Sequence, residues 1–135
     1  MDQGRATPMA AIILAAGQGT RMGSADKHKV CFPVAGVPSI NRMVGALRDH
    51  GCDSVVVVVG ALAGDVVSTV GQAYPETLFV LQREQNGTGD AARAGFAPLE
   101  RIRFGGPVLV TMGDKVIAPH VFGLLVDEFH RSSCD

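Results

Sequence analysis

Charge is scarce in this sequence: Asp, Glu, Lys and Arg make up 19% of its 135 residues. Twelve basic residues nearly balance thirteen acidic ones, for a net charge of −1. No bulk electrostatic attraction to nucleic acid is expected. Cysteine is sparse too, with only Cys31, Cys52 and Cys134, which form no C-x-x-C pair and no disulfide framework. They fit buried thiols in a reducing compartment and predict a cytoplasmic protein. The longest apolar run, Met9 to Ala16, falls far short of the roughly 20 residues a membrane helix needs. Arg5 ahead of that run and Ala15-Ala16 at its end imitate a signal peptide. The run reads better as a buried first strand, because it feeds a loop that makes sense uncleaved. Four histidines, His28, His50, His120 and His130, show no i, i+4 pairing with acids or cysteines, so no zinc site is expected.

What the sequence has in excess is glycine. It accounts for 17 residues, about 13% against an average of roughly 7%. There is no G-X-Y period, so the excess is not collagen-like, and 47% hydrophobic content is enough for a real core. Residues 1–8 read as a flexible polar tail. Residues 9–16, 54–59, 78–82 and 107–112 read as four strands, apolar on both faces in the manner of a parallel sheet. Between them lie helical patterns. Ser39 is placed to cap a helix carrying Ile40, Met43, Val44 and Leu47, with Gly51 as its stop. Val66, Val67 and Val70 mark a short helix over 64–72. The segment NGTG at 86–89 opens a helix with Ala91, Ala92 and Ala94. Pro119 starts a last helix with Phe122, Leu125, Val126 and Phe129 on one face. The alternation predicts an α/β fold: a Rossmann-like three-layer αβα architecture with a mostly parallel sheet, strand order 3-2-1-4. The fourth strand would then be an apolar open edge, which predicts pairing with a second copy or with further chain.

Ligands of open α/β sheets bind beyond the carboxyl ends of the strands. Three loops there are unusual: Gly17 to Gly23 with Lys27 and Lys29; Gln82 with Asn86-Gly87-Thr88-Gly89; and Gly113-Asp114. Glycines let backbone N–H groups approach an anion closely. Arg21 and Lys29 add positive charge, and a strand-end carboxylate beside phosphates suits magnesium. Together they describe a nucleoside triphosphate with its metal. The phosphate loop G-x-x-x-x-G-K-[ST] is absent, since Met22 and Ser24 stand where its second glycine belongs. Gly17, Gly19 and Gly23 approximate a dinucleotide fingerprint, but the acid it needs after strand two is replaced by Gly60-Ala61-Leu62. Gly105-Gly106 reads as a plain turn.

LAAGQGTRM (14–22), Lys29-Val30 and PVAG (33–36) resemble the signature of sugar-phosphate nucleotidyltransferases. LQREQNGTGDA (81–91) resembles the uracil-contacting segment of the bacterial N-acetylglucosamine-1-phosphate uridylyltransferase branch, and VLVTMGD (108–114) its metal-binding strand end. The resemblance implies that Ala15, Ala16 and Gly17 face the base, and that Gly19, Thr20 and Arg21 form the phosphate loop. It implies that Lys29 neutralises the triphosphate, that Gln82, Gly87 and Thr88 recognise uracil, and that Asp114 binds Mg²⁺. The implied partners are UTP and a sugar-1-phosphate, with Arg21 and Lys29 as the catalytic cations and pyrophosphate as the released product. Residues 9–135 would be the nucleotide-binding half of a longer catalytic domain.

Three positions depart from the family pattern. Lys27-His28 replaces a frequent Leu-Pro pair with one residue more in the loop, Asp90 replaces a frequent histidine, and Lys115 follows Asp114 directly. A non-catalytic nucleotide-binding or assembly module is the alternative from another class. A CTP-dependent cytidylyltransferase is the alternative among enzymes.

Overall fold

The computed structural model describes residues 7–17, 28–84 and 86–132. A four-stranded parallel sheet lies at its centre, built from β1 (Met9–Ala15), β4 (Cys52–Val59), β5 (Leu78–Leu81) and β6 (Val108–Met112). Its order is β5-β4-β1-β6, the 3-2-1-4 arrangement expected. β1 is buried along its whole length because both of its faces are covered. Met9, Ala11, Ile13 and Ala15 join one core cluster, with Val55, Val57 and Val59 of β4. Ala10, Ile12, Leu14 and Ala16 join the other, with Val56 and Val58. This period-two partition between two dry faces is what an uninterrupted apolar run encodes.

Helices α1 (Ser39–Asp49), α2 (Ala63–Ala73) and α4 (Pro119–Ser132) contribute to the first cluster, and α3 (Thr88–Arg101) to the second. The chain runs outward from β1 through β4 to β5 with α1 and α2 on one face. It then returns past β1 to β6 with α3 on the other. The strand order therefore reverses between β1 and β6, and that switch point is where an open α/β sheet leaves a crevice.

Several local expectations need correcting. Ser39 is the first residue of α1 rather than its cap; Pro38 holds that position, and no side chain caps the helix. Proline's fixed φ sets the entry instead. Gly51 does follow the helix end, at φ +102°. Val67 faces solvent while Val66 and Val70 are buried, and Leu125 is half-exposed beside buried Phe122. Gly106 is more than a turn, since a Cβ there would lie 2.1 Å from the Pro8 carbonyl oxygen.

A short hairpin of β2 (Pro33–Val34) and β3 (Val37–Pro38) escapes the pattern reading, because each strand is only two residues long. Ala35 and Gly36 turn it with positive φ at both positions, as in a type I′ turn. The Arg42 guanidinium of α1 pins it by donating to the carbonyls of Val34 (2.6 Å) and Ala35 (3.0 Å). The thiols of Cys31 and Cys52 are buried, and burial, with Asp53 adding, pushes Cys52 up to about 11. As a thiol kept neutral at physiological pH, Cys52 is an inert core residue.

The glycine excess is partly architectural. In α3, a Cβ on Gly95 would lie 2.4 Å from Ile12 Cγ2 and 3.1 Å from Val58 Cγ2, so this glycine lets the helix sit close to the sheet. In α2, Gly71 has nothing within 4 Å. Opposite outcomes are therefore expected from one substitution. Gly71→Ala should stabilise by about 0.5–1 kcal/mol through helix propensity. Gly95→Ala should destabilise by about 1–3 kcal/mol through overpacking. Urea midpoints of the two variants would check this, and equal shifts of the same sign would refute it.

Candidate functional site at the switch point

The carboxyl end of β1 stops at Ala15, and Ala16 and Gly17 continue from it. Three close approaches hold the neighbouring strand ends against this segment. A Cβ on Gly60 would lie 2.6 Å from the Ala16 carbonyl oxygen, so only glycine lets β4 leave the sheet there. Gly113 donates its N–H to the Leu14 carbonyl at 2.8 Å, which draws the end of β6 against β1. Gln82 donates its N–H to the Val59 carbonyl at 2.8 Å, extending β5 by one rung beside β4.

Between these ends and the start of α3 lies an open cleft of about 280 Å³. Leu14, Ala16, Ala91 and Met112 give it apolar walls, and Gly17 and Gly87 give it thin backbone ones. Gln82 and Thr88 supply its hydrogen-bonding side chains. Gly87 caps α3 at φ +96° and ψ 174°, a conformation that favours glycine. Thr88, the first residue of the helix, lines the cleft, and the first N–H groups of an α-helix have no intrahelical partner. Gln82 is buried, and its Nε2 donates to the Asp90 carboxylate at 2.9 Å.

Beside the cleft stands an ion pair. Lys29 Nζ lies 3.4 Å from Asp114 Oδ2, with both side chains about 30% exposed. Asp114 follows Met112 and Gly113 at the end of β6. Lys29 opens a short 3-10 helix (Lys29–Cys31) whose position is set by His28. His28 is almost wholly buried. Its backbone N–H donates to Asp65 Oδ2 at 2.7 Å, and its ring bridges Gly17 and Val30. Since the Gly17 carbonyl can only accept, Nε2 donates to it at 3.0 Å. Nδ1 therefore accepts the Val30 N–H at 3.3 Å, and the ring is the neutral tautomer.

Of the expected site residues, Ala16, Gly17, Gln82, Gly87 and Thr88 share the cleft, and Ala15 is buried at the strand end behind it. Lys29 and Asp114 meet each other beside it. Gly19, Thr20 and Arg21 lie outside the described residues. Lys115 lines a separate hollow beside α1 and the β2–β3 hairpin. Sequence reasoning missed His28 as a structural tie, the bond from Gln82 to Asp90, and the need for glycine at 60. Among the described residues, no three His, Cys, Asp or Glu side chains cluster to hold a metal on their own. No helix among them is long and apolar enough to cross a membrane.

The sequence of residues 11–135 matches the model of the MobA-like NTP transferase domain, which covers the sheet from Ala11 onward and all of the site. The chain belongs to the MobA-like NTP transferase family. Relatives of this transferase domain include the bifunctional protein GlmU of Rubrobacter xylanophilus, 39% identical over 96% of this chain and 26% of that protein. The bifunctional protein GlmU of Geobacter metallireducens is 42% identical over 88% of this chain and 24% of that protein. The chain thus spans about a quarter of the length of these curated relatives. Solved structures share the fold. A nucleotidyl transferase from Methanothermobacter thermautotroptrophicus superposes with a TM-score of 0.71 at 24% identity, over 90% of this chain and 58% of that one. A UDP-glucose pyrophosphorylase complexed with UDP-glucose gives 0.73 at 20% identity, over 94% and 55%.

Proposed function

We propose that this NTP transferase domain binds UTP in the switch-point cleft and transfers its uridylyl group to a sugar-1-phosphate, with N-acetylglucosamine-1-phosphate as the acceptor. One observation carries the reading. An open, mostly apolar cleft lined by the Gln82 amide and a lysine–aspartate pair stand together at the β1/β6 switch point. The cleft offers a flat base two apolar walls and a polar edge. The pair offers phosphates one cation and one acid.

In the reaction, a phosphate oxygen of the sugar-1-phosphate attacks the α-phosphorus of UTP. The new P–O bond forms as the α–β bridging bond breaks, and pyrophosphate leaves with the bonding electrons. No side-chain nucleophile is needed, so catalysis consists of alignment and charge stabilisation. Lys29 would leave Asp114 and hold a phosphate oxygen, with Arg21 as the second cation. Asp114 fits a Mg²⁺–nucleotide complex, because magnesium is commonly held by one or two carboxylates together with substrate phosphates and water. When bound, that ion would neutralise phosphate charge as a Lewis acid. Asp114 would orient it, and Lys29 and the cleft would place the α-phosphorus. Residues 9–135 would serve as the nucleotide-binding half, with the β6 edge, where Val110 is exposed, meeting further chain or a second copy.

Two measurements test this. UTP with Mg²⁺ at 100 times its Kd should raise unfolding stability by about 2.7 kcal/mol. Pyrophosphate release should require UTP, Mg²⁺ and the sugar-1-phosphate together. Stabilisation without release would leave a nucleotide-binding module, and stabilisation by CTP in preference to UTP would overturn the uridylyl assignment.

A further inference from the structure

We infer that Asp90 is the residue that makes this cleft select between pyrimidine bases, by fixing which way round the Gln82 carboxamide stands. The inference rests on the nucleotide reading above and deepens it.

Gln82 and Thr88 are the hydrogen-bonding side chains of the cleft, and only Gln82 is buried. A hydroxyl rotates to suit its partner and discriminates poorly between donor and acceptor. A carboxamide has a donor end and an acceptor end, so its orientation decides what it reads. Here one end is assigned by its partner. An ionised carboxylate accepts and cannot donate, so the group 2.9 Å from Asp90 Oδ2 is the amide nitrogen. Rotating the amide by half a turn would bring the Gln82 carbonyl oxygen against the Asp90 carboxylate, two acceptors face to face in a part-buried place. Asp90 sits in the first turn of α3, a rigid element that packs on β1 and β4. Gln82 is held from behind by its backbone bond to Val59. The backbones on both sides of the bond are therefore held in place.

With its nitrogen turned toward Asp90, the Gln82 carboxamide has its two ends fixed: the oxygen is left to accept and the second amide hydrogen to donate. That pair accepts one hydrogen bond and donates the next. The ring N3–H and the adjacent O4 of uracil offer the complementary donor and acceptor. Cytosine offers the reverse, an unprotonated N3 and an amino group. Reading cytosine would need the rotated amide that Asp90 opposes. Selectivity thus comes as much from the conformer forbidden as from the contact made. The chemistry selected is a nucleobase with an imide edge, uracil or thymine, over one with an amidine edge.

Calorimetric titration of the whole chain with UTP and with CTP tests this on the wild type, Asp90→Ala and Asp90→Asn. The wild type should favour UTP by roughly tenfold or more, the cost of leaving one buried partner unpaired. Asp90→Ala releases the amide, so the two affinities should converge to near parity. Asp90→Asn can hold the amide either way round and should fall between. The change should come mainly from tighter CTP binding rather than from general loss. If both variants keep the wild-type ratio, or if the wild type has no preference, Asp90 does not set the base and the inference fails while the nucleotide site stands. If no nucleotide binds the wild type, the reading of the cleft itself fails and takes the inference with it.

Discussion

Lys29→Met is expected to lower pyrophosphate release by about 10²–10³-fold, the cost typical of removing one preorganised group that stabilises transition-state charge. Folding should scarcely change. The Lys29–Asp114 pair is about 30% exposed at both ends, and its 3.4 Å separation exceeds the 2.7–2.9 Å of a tight charge-assisted bond. Such exposed pairs are worth at most about 1 kcal/mol. The lysine is therefore held near the acid loosely and is available to a phosphate. Its partner makes the prediction directional. Asp114→Asn removes the acid that competes for Lys29, so UTP binding without metal should hold or tighten, whereas binding with Mg²⁺ should weaken. Lys29→Met should weaken UTP binding under both conditions. Titrations of the two variants with and without Mg²⁺ separate the roles. Equal responses of both variants to Mg²⁺ would remove the metal assignment from Asp114, and full activity of Lys29→Met would end the case for this cation.

What could be read from the sequence was whatever depends on pattern along the chain. The four apolar runs alternating with helical patterns gave the parallel sheet, because strands apolar on both faces fit an interior covered by helices on both sides. Knowing which strand ends share an edge then brought Ala16, Gly17, Gln82, Gly87 and Thr88 into one cleft, and Lys29 to Asp114 across 85 positions of sequence. The resemblance to sugar-phosphate nucleotidyltransferases assigned roles that the pattern alone could not. What stayed hidden depends on contacts between segments. Ser39 looked like a cap, but proline at 38 already set the helix entry. Val67 and Leu125 belonged to apolar patterns, yet the helix orientations left them at the surface. The glycines at 60 and 95 are required by an approaching backbone or side chain that no local signal announces. His28 was the plainest omission. It stood out only as a departure from a family motif, and its three hydrogen bonds reach Gly17, Val30 and Asp65.

Those bonds make His28 a position where substitution should cost much stability. His28→Leu keeps the bulk but leaves two groups without a partner. Gly17 is exposed, so its carbonyl can turn to water, while the buried Val30 N–H cannot. An unpaired buried group costs about 1–3 kcal/mol. His28→Ala adds the cavity of a missing ring and should reach about 3–5 kcal/mol in all. For a chain of this size each kcal/mol moves the Tm by roughly 4 °C, so His28→Ala should melt more than 10 °C lower. Two conservative variants separate the ring's functions. In His28→Asn the side-chain oxygen stands close to the place of Nδ1, so it should recover the bond from Val30 and the start of the 3-10 helix. In His28→Gln the amide nitrogen reaches toward the place of Nε2, so it should recover the bond to Gly17. If the tie to Gly17 also orients the cleft, His28→Gln should keep UTP affinity better than His28→Asn, although His28→Asn should be the more stable. A His28→Leu variant as stable as the wild type would show that the buried ring fills space and does nothing more.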